Sequence, residues 1–224
     1  MENTGKLYIV ATPIGNLDDI TLRALEILKS VDFILCVDTR NTKNILDRYE
    51  IKKTLISYHQ HSDQRKIKEI IALLESGKNL ALVTDAGTPG ISDPGNLLIR
   101  DLRLKIPNLE IVPIPGASAI ITALSVSGFP TDKFVFLGFP PNKNKRQKFF
   151  QEAAEMPYTV CFYESSHRIE KCIKEISENF SPERKILIAR ELTKQFESFY
   201  LGTVGGLASM RIPAKGEFVV VISN

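Results

Sequence analysis

The sequence has no tryptophan, and only three cysteines and three methionines among 224 residues. No apolar run approaches the roughly 18–20 residues that a membrane-spanning helix needs, and the mean hydropathy is −0.04. A membrane span is therefore excluded. The start, Met1-Glu2-Asn3-Thr4, shows neither the charged nor the apolar region of a secretory leader. Three cysteines cannot build a full disulfide framework, and Cys36, Cys161 and Cys172 form no CxxC pair. Cys36 and Cys161 lie in apolar strand-like runs, where a free thiol behaves as a small buried hydrophobe. A reducing, cytoplasmic location is the expectation.

Excess charge is also lacking. The formal net charge of +3 is too small to announce a nucleic-acid-binding protein. Disorder and collagen-like repeats are excluded by an average balance of 43% hydrophobic and 25% charged residues. Nucleotide fingerprints are missing as well. There is no GxGxxG after the first strand-like segment, no GxxxxGK[ST], and Ser165-Ser166-His167 is not a GxSxG elbow. His59 and His61 share one face of an extended segment, but no cysteine or HxxxH partner completes a metal site.

What is present is a regular alternation. Leu7–Ala11, Val31–Val37 and Leu80–Val83 read as buried strands, and Leu22–Lys29 reads as a helix. Ser62 reads as the cap of a helix whose Ile67, Ile70, Ile71 and Leu74 fall at helical spacing, and Asp93-Pro94 as the cap and first residue of another. Continuous apolar strands alternating with amphipathic helices predict a mostly parallel sheet covered on both faces. Pro113-Ile114-Pro115-Gly116 cannot continue a central strand, which places a domain boundary there: residues 1–114 and 115–224. The alternation then restarts, with a helix over Ser118–Ser127, strands at Phe134–Leu137, Thr159–Tyr163 and Ile186–Ala189, and a helix face of Ile169, Ile173 and Ile176. Ser198–Leu201 and Glu217–Ile222 read as paired antiparallel strands. The fold class predicted is α/β, with two domains built on mostly parallel sheets.

Every distinctive polar cluster follows the C-terminal end of a predicted strand, where open α/β sheets bind ligands. The clusters are Thr12–Asn16, Asp38-Thr39-Arg40, His59-Gln60-His61, Asp85–Pro89, Pro115–Ser118, Glu164–Arg168 and Arg190–Lys194. Thr84–Gly95 is the most informative. Its glycines let backbone approach a ligand and its prolines stiffen the loop in advance. A loop of this kind suits a flat polar ligand such as an adenosyl group.

Val10–Leu17, Asp19–Ala24, Asp38–Arg40 and Asp85–Gly95 together resemble the ribosomal RNA small subunit methyltransferase I family, within the tetrapyrrole methylase superfamily. So do Phe162–Arg168, Arg190–Lys194 and Lys215–Phe218. The resemblance implies two α/β domains with S-adenosylmethionine in the cleft between them, a homodimer, and 2′-O-methylation of a cytidine ribose in 16S rRNA of the small ribosomal subunit. It further implies that Pro13, Ile14, Asp85, Ala86, Gly87, Thr88, Pro89, Ser118, Ala119 and Tyr163 line the cofactor site. The Asp-Thr-Arg and Arg-Glu-Leu-Thr-Lys stretches would face the methyl group or the RNA. The chain departs from the family pattern at Val37 and Gln60, where relatives usually carry Glu.

A ribose hydroxyl is a weak nucleophile, so a base or a local cation is expected to help. Asp38, Glu191, His59 and His61 are the candidate bases; Arg40, Arg190 and Lys194 are candidate orienters. No acid occurs between Asp132 and Glu152, where Lys143, Lys145, Arg146 and Lys148 are expected to grip RNA phosphates. Phe134, Phe136, Phe139, Phe149 and Phe150 accompany them; such aromatics can stack on RNA bases, but helical spacing favours a core role for these rings. Two rival readings stay open: a porphyrinoid methyltransferase, and a non-catalytic S-adenosylmethionine-binding module.

Overall fold

The computed structural model describes residues 4–59 and 64–224, which divide into two compact units, Met1–Ser118 and Ala119–Asn224. Ser62 and His61 lie outside the described residues. No helix among the described residues is long and apolar enough to cross a membrane.

The first unit carries β1 (Leu7–Val10), α1 (Leu22–Ser30), β2 (Phe33–Cys36), α2 (Thr39–Arg48), β3 (Thr54–Ser57), α3 (Gln64–Glu75), β4 (Leu80–Leu82), α4 (Asn96–Lys105) and β5 (Ile111–Ile114). The sheet order is β3-β2-β4-β1-β5, and every pair is parallel. Side chains alternate across it. Leu80 and Leu82 face one apolar cluster with Leu7, Ile70, Leu98 and Leu102, while Ala81 and Val83 face another with Val10, Leu28, Ile34 and Ile114. Covering both faces is what makes the strands read as unbroken apolar runs, each buried Leu or Ile contributing about 1.5–3 kcal/mol.

Two local expectations change. Pro113 lies inside β5, because β5 is an edge strand bonded only to β1 and needs no ladder donor on its outer side. The helix after the long loop starts at Asn96, three residues beyond Asp93. Gly95 caps it with φ +144°, and a Cβ there would stand 3.1 Å from Leu82 Cδ2 and 3.2 Å from the Gly90 nitrogen. The chain makes its turn where only glycine fits, so Asp93 is left in the loop.

The second unit carries α5 (Ala119–Ser127), β6 (Phe134–Phe136), α6 (Arg146–Glu155), β7 (Thr159–Ser165), α7 (Ile169–Asn179), β8 (Lys185–Arg190), β9 (Ser198–Thr203) and β10 (Glu217–Ile222). Its sheet runs β6-β7-β10-β8-β9. Only β6 and β7 pair in parallel; the other three pairings are antiparallel. The expectation of mostly parallel sheets thus holds for the first sheet and not for the second. No helix lies between β8 and β9, and a parallel return needs a crossover of about a dozen residues or more. Nor do β9 and β10 pair with each other, since β8 lies between them. One core serves this unit: Phe150 of α6, Cys172 and Ile176 of α7, and Phe162, Ile188 and Val220 of the sheet. All three cysteines are buried and free.

Gly95→Ala is expected to lower stability by about 1–3 kcal/mol, since strained backbone adds to the clash. Gly128→Ala is expected to cost only about 1 kcal/mol, the left-handed penalty alone, because φ is +68° there with nothing within 4 Å. Urea denaturation of both variants decides it. Equal losses would refute the close-packing account of Gly95.

Candidate active site

Thr12 and Gly87 exchange two backbone hydrogen bonds. The Thr12 N–H donates to the Gly87 carbonyl at 2.9 Å, and the Gly87 N–H donates to the Thr12 carbonyl at 3.0 Å. The buried Thr12 hydroxyl donates to the Thr84 carbonyl at 3.0 Å. The turn after β1 is thereby fastened to the loop after its neighbour β4. Gly87 takes φ +74°, and a Cβ on it would stand 3.5 Å from Ile14 Cγ2 and 3.6 Å from the Ala117 carbonyl oxygen. Ile14, Gly87 and Ala117 therefore surround a small space that a side chain at position 87 would fill. Pro13 and Pro89 are buried beside it, while Asp85 and Ala86 are exposed. Backbone groups on one wall and an apolar edge from Ile14 suit a flat, polar-edged ligand such as the adenosyl part of S-adenosylmethionine.

Acidic groups gather at the same end of the sheet. Asp38 caps α2 by accepting from the Arg40 N–H at 2.8 Å, and its carboxylate also accepts from Arg40 Nε at 3.1 Å and Nη2 at 2.7 Å. The Arg40 side chain and backbone hold the Asp38 carboxyl down at about 2. Asp93 behaves oppositely. Burial, and then the charge of Asp85, push its carboxyl up to about 6 although the Thr84 hydroxyl faces it. Asp85 also acts on Arg40 and on Cys36, so the ends of β2 and β4 form one electrostatic neighbourhood. His59 is exposed, with Nε2 2.9 Å from the Ser57 hydroxyl. Among the described residues no group of His, Cys, Asp and Glu could hold a metal ion.

In the second unit three loops converge. The Ser166 hydroxyl donates to the Gly216 carbonyl at 2.7 Å and accepts from the Gly216 N–H at 3.1 Å. Glu191 Oε1 accepts from the Glu217 N–H at 2.9 Å and from Lys194 Nζ at 3.2 Å; Lys194 also reaches Glu217 Oε2 at 2.8 Å. Burial works to raise the Glu191 carboxyl, but these donors outweigh it and leave it below its ordinary value. Arg190 donates from Nε to the Lys215 carbonyl at 2.6 Å and from Nη1 to the Phe196 carbonyl at 3.0 Å. Glu191 and Thr193 both hold positive φ, at 51° and 63°. Strain of that kind persists only where surrounding bonds over-determine the backbone, and here they do.

The family described as Tetrapyrrole (Corrin/Porphyrin) Methylases matches residues 6–208. A protein of Synechocystis named ribosomal RNA small subunit methyltransferase I is 45% identical over 98% of this chain and 79% of its own length. This chain belongs to that family. A namesake from Thermotoga maritima is 42% identical over 98% of this chain and 99% of its own. Among solved structures, the uroporphyrin-III C-methyltransferase of Thermus thermophilus complexed with S-adenyl homocysteine superposes with a TM-score of 0.63, covering 98% of each chain at 16% identity.

The residues that the family resemblance marks are distributed unevenly. Pro13, Ile14, Asp85–Pro89 and Ser118 come together in the first unit, whereas Ala119 opens α5 and Tyr163 lies on β7 in the second. Asp38 and Glu191 are poor proton acceptors because cations and N–H donors already stabilise their charged forms. His61 lies outside the described residues. Lys143, Lys145 and Lys148 are exposed.

Arg146 is a correction. Its side chain is only 2% exposed, and it donates from Nε to Glu175 at 2.8 Å, from Nη2 to Glu164 at 2.9 Å and from Nη1 to the Pro141 carbonyl at 3.2 Å. A guanidinium so enclosed cannot meet an RNA phosphate. Sequence reasoning missed its partner Glu164, which a pattern could have shown. Val160, Phe162 and Glu164 alternate onto the core face of β7, so an acid there demands a buried cation. Asp93 was missed as well, having been read as a helix cap.

Two outcomes follow from these charges. Arg146→Ala should cost about 3–5 kcal/mol in urea denaturation, the loss typical when one member of a buried ion pair is removed; Lys143→Ala should cost almost nothing. An Arg146→Ala protein as stable as the parent would refute the buried network. Asp93, raised to about 6 from an ordinary 3.8, binds its proton more tightly when folded. The stability it contributes is complete below about pH 4 and is lost as pH rises through about 6. Thermal melts should therefore show Asp93→Asn gaining on the parent by a few degrees at pH 8 and matching it at pH 4. No difference between the two pH values would count against the burial of this carboxyl.

Proposed function

We propose that this chain transfers the methyl group of S-adenosylmethionine to the 2′-hydroxyl of a cytidine ribose in 16S rRNA of the small ribosomal subunit. One observation carries the reading: a cradle of the Ile14 side chain and the Gly87 and Ala117 backbone, fastened by the Thr12–Gly87 exchange, in a chain 45% identical to a ribosomal RNA small subunit methyltransferase I.

The bound cofactor supplies an electrophilic methyl on a sulfonium, and the displacement is in line with the attacking oxygen. Alignment alone is worth up to about 7–11 kcal/mol in such steps. On this reading Ile14, the backbone of 86–88 and Ser118, all of the first unit, hold the adenosyl group. Asp38 serves to aim Arg40, whose side chain is 88% exposed, toward an RNA phosphate. Asp38 and Glu191 do not take the hydroxyl proton, because their charged forms are already stabilised. Of the candidate bases among the described residues, His59 remains. Lys143 and Lys145 neutralise phosphates, as does Lys148, which is 70% exposed with Glu152 at 3.4 Å. The chain acts as a homodimer in the cytoplasm, and the exposed Phe199 and Leu201 of the edge strand β9 give a second copy an apolar surface to cover. Sedimentation as a monomer at micromolar concentration would exclude that assembly.

The test incubates the protein with methyl-labelled S-adenosylmethionine and small subunits from a strain lacking this enzyme. Label in a cytidine ribose is the expected result; label only in a supplied tetrapyrrole, or no transfer, overturns the reading. Replacing Lys143 and Lys145 by Glu should lower the slope of log affinity against log salt by about 2, at about 0.9 per phosphate contact. An unchanged slope removes the two lysines from the RNA interface.

A further inference from the structure

Beyond the cofactor cradle, the second unit holds one surface loop with unusual rigour. Residues 137–145 connect β6 to α6. At its base the Tyr163 N–H donates to the Gly138 carbonyl at 2.9 Å, so the loop leaves the sheet already paired to β7. Two prolines follow, and each carbonyl is taken by a different arginine: Pro140 by Arg168 Nη1 at 3.0 Å, Pro141 by Arg146 Nη1 at 3.2 Å. Arg168 also donates to the Asn142 side chain. Both guanidiniums converge on Glu164, whose side chain is 0% exposed, at 2.9 Å each.

Burying charge is costly unless its geometry serves something. Here it immobilises a loop whose own side chains face outward. Phe139 is 50% exposed although its fellow rings Phe149 and Phe150 pack inward. Its ring lies against Tyr163, with centroids 5.2 Å apart at 50°, and Tyr163 is backed in turn by Phe136 at 5.0 Å. Lys143 and Lys145 follow within six residues, both exposed and neither in an ion pair among the described residues. A half-exposed aromatic on a rigid support beside unpaired cations is matched by a ligand that is flat and polyanionic. S-adenosylmethionine, with its sulfonium and ammonium, is disfavoured next to those lysines, whereas an unpaired stretch of RNA fits both features.

We propose that Phe139 is a stacking platform for an unpaired base of the RNA substrate, and that Glu164, through Arg146 and Arg168, is the positioning residue that holds it ready. This inference rests on the RNA methyltransferase reading above and names a contact that reading does not.

The test compares the parent with Phe139→Ala and Phe139→Trp, using undermethylated small subunits in filter binding across a salt series and S-adenosylhomocysteine in calorimetry. Stacking on one base predicts about tenfold weaker subunit binding for Phe139→Ala, within the range seen for single-base stacking. Its salt slope should be unchanged, Phe139→Trp should restore affinity, and S-adenosylhomocysteine should bind all three proteins alike. Three results would each overturn the proposal: subunit affinity of Phe139→Ala within twofold of the parent, failure of Trp to restore it, or an equal loss of S-adenosylhomocysteine affinity. A parent protein that neither binds nor methylates small subunits would instead overturn the function on which the proposal rests, and that outcome is read without any variant.

Discussion

Two backbone hydrogen bonds between Thr12 and Gly87 hold the C-terminal end of the first unit's sheet in shape. The strands that precede these residues are neighbours in a parallel sheet, and parallel strands deliver all their exits to one edge. Without a tie, a loop as long as 84–95 would sample many conformations, and a ligand would have to order it on binding. The exchange removes part of that entropy beforehand. Position 87 also suits glycine because its φ of +74° is a backbone conformation that side-chain-bearing residues adopt rarely. Gly95 closes the same loop by a second conformation that only glycine takes readily.

A different constraint governs the second unit. Glu164 sits at the end of β7 on the core side, fully enclosed, and must be neutralised where it stands. Arg146 from α6 and Arg168 from the turn before α7 do so, and Glu175 of α7 accepts from Arg146 Nε. The two arginines spend their other donors on the carbonyls of Pro140 and Pro141. One buried carboxylate thus couples a strand, two helix starts and an exposed loop. The Arg190–Glu191–Lys194 cluster works similarly on the surface, where Glu217 and the Gly216 turn hold a backbone with two positive φ values.

The acids of the first unit show how neighbours sort chemically identical groups. Asp38 lies on a helix N-terminus and on Arg40, so its charged form is favoured twice over. Asp93 is withdrawn from water and faces a second carboxylate, so its neutral form gains. Sequence position alone would rank the two as equal candidates for proton transfer. Their surroundings place one far below neutral pH and the other close to it.

Much of this protein was legible in the order of its residues. The central strands β1, β2 and β4 of the first unit, their parallel pairing and the polar clusters beyond their C-terminal ends follow from apolar runs punctuated by Gly, Pro and Asp, whereas β3 and β5 do not. Local chemistry sets these features, so local pattern reveals them. Arg146 is the counter-example. It reads as an RNA contact because it shares an acid-free stretch with four lysines, yet its carboxylate partners are 18 and 29 residues away, and only the alternation along β7 points to one of them. In sequence Pro113 reads as a break, because edge and central strands differ only in what lies beside them. The antiparallel second sheet, the true start of α4 and the opposite charge states of Asp38 and Asp93 were likewise settled by neighbours remote in sequence. The sequence by itself determined the central apolar strands, most of the amphipathic helices and the polar clusters that follow strand ends. Tertiary structure decided which charges are free to act, because burial and pairing depend on distances that only the folded chain defines.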